Sequence, residues 1–461
     1  MKQSFARLAE SLAVPWGGGS REGAVQGTAR STRSQGLGSI ATERRRGLRG
    51  AALAALLCAL PTFARAQSFD DFESIGRLED RRAQPSDLSV GGHSFPPSIV
   101  YKLFGVVTPH VFAAARLGWT DNYLLQDPTA PGVTLRREAY GAVSAGVRLD
   151  TELYDHRLEV GYRAAALELV KSGSGDTLAQ EARVRLDLYG NRVEAHADAA
   201  WRRDAYPQSI QLTGIVVLDR LEVSGYVEGK AGAFGARAGG GVERYDYRRK
   251  ALNDLDALGY GADVQLYWRL RPRLRALVEY NWKQWTYRRG GRGSLNDYQV
   301  HAAVVGADGE LTAKLSASLK VGWSLQDARR GPNPDRRDLQ SLVVRASARW
   351  EPLERTSLVL AYRREIAPST NSNGLRSDGV TLEVEQGITG ELAVRAAVGY
   401  THAVASPGEH LNRLQARASL HYALREWISV VGSYRFVKLT SGFPDSDYAA
   451  HEVALSVGFG L

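Results

Sequence analysis

From Leu311 to Leu325 the chain reads LTAKLSASLKVGWSL, with apolar and polar or small residues in strict alternation. Leu311, Ala313, Leu315, Ala317, Leu319, Val321, Trp323 and Leu325 take the odd positions. Thr312, Lys314, Ser316, Ser318, Lys320, Gly322 and Ser324 take the even ones. A period of two is a β-strand with two unlike faces. Strands of soluble proteins usually run about 5–6 residues, whereas a tilted membrane-spanning strand needs about 9–11. The run is long enough to span, and its apolar face carries a Trp near one end, as at a lipid–water boundary. It predicts one stave of an outer-membrane β-barrel, preceded by a turn at Asp308-Gly309.

The pattern recurs along the chain. Val111–Trp119, Val193–Trp201, Leu258–Trp268, Leu274–Trp282, Leu342–Trp350, Leu392–Tyr400, Leu414–Tyr422 and Val453–Leu461 each alternate in the same way. Strands are also expected over Val133–Val147, Val216–Val227 and Phe234–Tyr247, the stretch Arg202–Arg220 being the least legible. The count is 18 strands, with 16 as the alternative, and an even number is expected of bacterial single-chain barrels. The fold class is therefore all-β, a transmembrane antiparallel up-and-down barrel over residues 101–461. Short connections near Gly190, Pro272, Asp308, Pro352, Gly390 and Glu426 alternate with long polar ones, as periplasmic turns alternate with external loops. Trp268, Trp350, Tyr422, Trp427 and Phe459 fall at short-turn ends. Trp119, Trp201, Trp282, Trp323, Tyr362, Tyr400 and Tyr434 fall toward long loops. Two aromatic girdles result. The competing reading, a large soluble β-protein with core Trp residues, accounts less well for these positions.

Ahead of the barrel, Arg44, Arg45, Arg46 and Arg49 precede the apolar run AALAALLCALPTF, and Ala64-Arg65-Ala66 fits a cleavage site. This is the layout of a secretory signal peptide, cut between Ala66 and Gln67. A barrel travels unfolded, so general export is preferred to a twin-Arg route. Leu57 before Cys58 does not fit a lipoprotein site. Residues 1–42, rich in Gly, Ser and Arg, read as an over-extended gene start or a long leading region; residues 1–66 would be lost together. Of the formal charge of +9, about +7 lies in residues 1–66, so the mature chain is near neutral and nucleic acid is not an expected partner. Cleavage also removes the only Cys, which leaves no thiol chemistry. No run of about 20 apolar residues follows Ala66, which excludes helical spans. Residues 67–100 form a short periplasmic lead with Asp70, Asp71, Glu73, Glu79 and Asp80 at its start.

The inward face is mixed in charge. Lys314, Lys320, Arg345, Arg349, Arg363, Arg395, Arg417 and Arg435 share lumen parity in the last third, with few acids between them. Tyr226 and Tyr267 interleave with inward charges earlier in the chain. Barrels of 16–18 strands leave an aqueous channel, and charges along a wet lumen select solutes by sign and size. The basic arc is a candidate path for a polyanion, with Tyr and Arg planes able to stack on sugars; the alternative is a salt-bridged wall without preference. His196, His301 and His421 are read as isolated lumen residues without metal-ligand spacing. No phosphate-binding Gly loop or catalytic motif is present, so no enzyme activity, metal or cofactor is expected. A Ser–His pair on the outer rim would be the one route to an enzyme.

The first strand and its end, TPHVFAAARLGWTDNYLL, with Gly118–Asn122 at the start of the first loop, and the closing HEVALSVGFGL resemble the beta-barrel porin 2 family. The likeness covers residues 100–461. It implies a passive outer-membrane channel for export of an exopolysaccharide or capsular polysaccharide, anionic on the evidence of the basic arc. It also implies a periplasmic polysaccharide export protein as partner, for which Asp70, Asp71, Glu79 and Asp80 are the candidate contacts. Outer-membrane lipids and the barrel-assembly machinery of a Gram-negative bacterium complete the expected surroundings. A diffusion porin for small solutes or oligosaccharides is the alternative.

Overall fold

The computed structural model describes residues 107–122, 137–153, 156–169, 177–205, 217–248, 255–287, 297–328, 338–367, 374–405, 408–442 and 446–460. The expected signal peptide, the expected acidic lead and Leu461 lie outside them. Eighteen strands are present among these residues. The first nine are β1 (Val107–Thr120), β2 (Glu138–Leu153), β3 (His156–Leu169), β4 (Thr177–Tyr189), β5 (Val193–Ala205), β6 (Val217–Ala231), β7 (Phe234–Tyr247), β8 (Ala257–Arg271) and β9 (Leu274–Tyr287). The others are β10 (Tyr298–Thr312), β11 (Leu315–Ala328), β12 (Leu339–Leu353), β13 (Thr356–Ala367), β14 (Leu375–Gly387), β15 (Leu392–Ala405), β16 (Glu409–Arg425), β17 (Ile428–Ser441) and β18 (Tyr448–Gly460).

Each strand pairs antiparallel with its sequence neighbours, and β1 pairs with β18 from Phe112↔Gly460 to Thr120↔Glu452. The result is a closed 18-stranded barrel, the larger of the two expected counts. Closure follows from the solvent. Hydrocarbon offers backbone N–H and C=O groups no partner, so a sheet can cross a bilayer only when it has no edge.

Side chains sort by parity. Leu117, Val264, Val305, Leu319, Trp323, Leu360 and Leu455 are exposed on the outer face, where they meet lipid. The expected girdle residues Trp119, Trp268, Trp323, Trp350, Tyr400, Tyr422, Tyr434 and Phe459 are exposed as well. A strand of 14 residues, such as β11, rises roughly 35 Å at about 3.3 Å per residue and a tilt near 40°, against an apolar band of about 25 Å. Strand ends therefore stand clear of hydrocarbon. Outward-facing polar groups gather there, such as Arg203 bonded to Asp219 and His402 stacked on His410.

The hairpin of the Leu311–Leu325 run departs from expectation. Asp308 and Gly309 are not a turn. They continue β10, opposite Arg275 and Leu274 of β9, and the chain reverses at Ala313-Lys314. The register runs evenly to Glu310↔Ser316 and then shifts to Thr312↔Leu315. Odd residues face outward on both strands, so the alternation passes through the reversal in phase and gives no sign of it. Gly309 has φ 144°, and a Cβ there would stand 2.0 Å from the Arg273 carbonyl oxygen. Its glycine serves a close strand-to-strand approach rather than a turn. The same one-residue register shift marks the short-turn ends of β8–β9, β12–β13 and β16–β17.

Outward parity predicts a depth-dependent response to charge. Leu319→Arg near mid-band should cost about 2–4 kcal/mol of folding stability, and Leu325→Arg toward the long-loop end about 0–1. Urea titration of the protein refolded into vesicles measures both; equal costs would contradict the assigned depth.

Candidate functional site: the inner wall

A strand pattern that sends apolar residues outward must send the alternate set inward. Here that set is rich in charge, and adjacent strands bring opposite signs together. On the β2–β5 arc, Asp150 lies 3.3 Å from Arg148 and 3.7 Å from Arg157. Glu181 takes Arg163 at 2.8 Å and Arg202 at 3.1 Å, and Arg183 holds Asp198 at 2.7 Å. Asp187 pairs with Arg185 and with His196. On the β8–β10 arc, Arg275 donates to Asp308 at 2.5 and 2.9 Å. This is why Asp308, expected in a turn, belongs inside a strand.

The two expected tyrosines are built into this wall. Tyr226 lies between the His196 ring, 5.2 Å away centroid to centroid, and the Arg237 guanidinium, 3.9 Å from its own centroid. Tyr267 is buried, donates its hydroxyl to Glu228 at 2.7 Å, and has Arg275 over its ring at 5.1 Å. The Tyr267 ring is covered by protein, and the half-buried Tyr226 ring is flanked by His196 and Arg237.

The cations of the expected basic arc are paired. Lys320, Arg345 and Arg363 stand directly opposite one another across β11, β12 and β13. Like charges so placed repel, and carboxylates from other positions offset them. Glu279 on β9 receives Lys320 at 3.1 Å and Arg345 at 3.2 Å. Glu365 receives Arg363 at 2.6 Å and Arg345 at 3.8 Å. Reaching Glu279 takes Arg345 past two strands, over the buried side chains of Val304 and Val343 and past Gly322. Gly322 has no room for more: a Cβ would sit 2.6 Å from the Val304 Cα. Further round, Arg349 pairs with Glu351 at 2.8 Å, Arg395 with Glu385 at 3.0 Å and Arg417 with Glu383 at 2.9 Å. Arg435 pairs with Glu452 at 3.0 Å. Glu452 also takes Arg116 at 2.6 Å and the Tyr140 hydroxyl.

Three expectations change. Lys314 lies in the β10–β11 turn, where its ammonium donates to the Pro352 carbonyl at 2.7 Å; it is at the rim and not on the wall. His301 faces outward, because β10 keeps its odd residues on the lipid side, and its Nδ1 lies 2.8 Å from the Tyr280 hydroxyl. The acids Glu351, Glu365, Glu385 and Glu452 break up the arc that looked nearly free of them. Glu351 and Glu365 follow the last outward aromatic of their strands, Trp350 and Tyr362, and Glu452 precedes the first outward valine of β18. Extending each strand's parity past its apolar stretch would have found them. Asp70, Asp71, Glu79 and Asp80 lie outside the described residues.

Toward the long-loop end, inward parity turns apolar. Leu375, Ala403, Leu411, Leu439 and Tyr448 form one buried cluster on β14–β18, and Ala257, Trp285 and Tyr298 another on β8–β10. Among the described residues no group of three His, Cys, Asp or Glu could hold a metal ion. What the wall offers is fixed charge facing water.

A family described as "Putative beta-barrel porin 2" matches residues 113–460. No curated protein matches the chain. Solved structures align with it in broad form. OccAB3 of Acinetobacter baumannii is 9% identical at a TM-score of 0.44, over 77% of this chain and 99% of that one. OccK2 (OpdF) of Pseudomonas aeruginosa is 10% identical at 0.43, over 77% and 98%. OpdK of the same organism, solved with vanillate, is 10% identical at 0.42, over 77% and 99%.

Ion pairs this enclosed respond strongly to loss of one partner. Glu279→Gln leaves Lys320 and Arg345 short of a carboxylate and should cost about 3 kcal/mol or more. Arg273→Ala, which breaks the exposed Arg273–Glu310 pair, should cost under about 1 kcal/mol. Urea unfolding in vesicles measures the contrast; similar costs would mean that water screens the Glu279 cluster as fully as the rim.

Proposed function

This chain belongs to the beta-barrel porin 2 family, and we propose that it is a passive outer-membrane channel of a Gram-negative bacterium that admits small hydrophilic solutes and oligosaccharides. The observation that carries this reading is the inner wall. Its charges are inward by strand parity and are neutralised largely within the wall, from Asp150 on β2 to Glu452 on β18. A barrel of this strand number has room for water beside such a wall. Paired charges solvate a polar solute as it passes and hold it weakly, which is what a diffusion channel requires. Transport then follows the solute's own gradient, with no bond made or broken.

Export of an exopolysaccharide or capsular polysaccharide, handed over by a periplasmic export protein, is the second reading. The water-facing arginines Arg395, Arg417 and Arg435 favour it, because they could accompany an anionic polymer. The enclosure of Tyr226 and Tyr267 weighs against it, since these rings are not free to stack on sugars.

Two measurements separate the readings. Folded protein in liposomes should permit swelling in galactose and, more slowly, in a trisaccharide. Clean deletion of the gene with plasmid complementation should leave surface and secreted polysaccharide unchanged while slowing small-solute uptake. Loss of one polymer, with accumulation inside the cell, would establish export instead.

A further inference from the structure

The inner wall is not uniform. On β15, on β17, and on β16 from Leu411 onward, the inward positions contain no Asp or Glu. They do contain Arg395, Arg417 and Arg435. Arg417 and Arg435 stand directly opposite each other, and Arg395 is a diagonal neighbour of Arg417 through its partner Ser419. Stability alone does not favour such a row, because like charges in direct cross-strand register repel. Flanking strands supply carboxylates to it: Glu383 and Glu385 on β14, Glu452 on β18. Glu452 is shared with Arg116.

Exposure separates this row from the Lys320–Arg345–Arg363 row. The side chains of Arg395, Arg417 and Arg435 are 37%, 44% and 52% exposed. Those of Lys320, Arg345 and Arg363 are 18%, 29% and 13%. The first row faces the water path and the second is packed into the wall. Several inward neighbours of the exposed row are small, among them Ala393 and Ala397 on β15, Ser419 on β16 and Ser433 on β17, with Gln415 and Val437 on the long-loop side.

We propose that the β15–β17 wall is an oxyanion-recognising face, which makes the channel prefer solutes that carry a carboxylate, sulfate or phosphate group. The proposal rests on the channel reading above. A guanidinium presents five N–H donors in a planar fork that matches a two-oxygen anion edge. The flanking carboxylates engage one edge of each guanidinium and orient it. They also compete with the solute, which keeps binding weak and transit fast. Fixed charge of one sign along a wet path selects by sign.

The test is ion selectivity of the full folded barrel in planar bilayers. Under a potassium chloride gradient, the reversal potential of the wild type should report chloride as the more permeant ion by several-fold, with glucuronate retaining measurable current when it replaces chloride. Arg417→Gln with Arg435→Gln should bring the chloride-to-potassium ratio down to about one or below, while Arg417→Lys with Arg435→Lys should keep most of it. Arg363→Gln, in the packed row, should change selectivity little. A wild type that prefers potassium, or a Gln pair with unchanged selectivity, overturns the proposal and leaves the channel standing. No conductance from correctly folded protein removes the channel reading and the proposal with it.

Discussion

A peptide group in hydrocarbon has no water to fall back on, and this single condition organises the molecule. Eighteen strands satisfy it by pairing with their neighbours and closing β1 onto β18. Once the backbone is closed, side-chain parity is no longer free. Each residue that meets lipid commits its two neighbours to the inside, and the inside of a wide barrel is too large for a packed core. The chain fills the inward positions with charge instead.

Charge on the inner wall is then subject to the register that the backbone imposes. Lys320, Arg345 and Arg363 are opposed because Val321, Val344 and Arg364 are aligned on the other face; one arrangement cannot be altered without the other. The repulsion is relieved by reach. Arg345 crosses β11 and β10 to find Glu279, over a floor of Val304, Gly322 and Val343 that has to be low. Small residues on the inner face are therefore part of the electrostatics, because they decide how far a long cation can travel along the wall. On β15–β17, where the paired carboxylates come from the flanking strands, the cations stand more open to water.

Alternation is a local property, and what is local was legible: the strands, their outward faces, the two girdles and the closed all-β class. The β10–β11 reversal was not, because odd residues face lipid on both strands and the pattern has no break at Ala313-Lys314. Asp308-Gly309 has the composition of a turn, yet it is explained by Arg275 across the ladder, a contact no local pattern contains. His301 was misassigned for the same reason that it is informative. It sits at a strand end beyond the apolar band, where outward residues turn polar and the usual rule for telling in from out lapses. Partners were the least legible feature: which acid serves Arg345 or Arg417 depends on side-chain reach across two or three strands, and reach has no period.

Glu452 shows what this means for assembly. Its carboxylate holds Arg435 on the neighbouring strand β17, Arg116 on the first strand and the Tyr140 hydroxyl on the second. The β17 contact can form as soon as the C-terminal hairpin exists. The other two require that the beginning of the chain has come round to meet the end. Among the described residues the junction they span pairs nine residues of β1, against fourteen between β1 and β2. An unclosed intermediate would carry Glu452 half-engaged on its inner surface, with Arg116 short of a partner on the far edge. The final zipping step thus gains an ion pair of its own, felt only when the first and last strands approach. In a chain made of eighteen similar staves, such a clasp distinguishes the correct closing pair from any other.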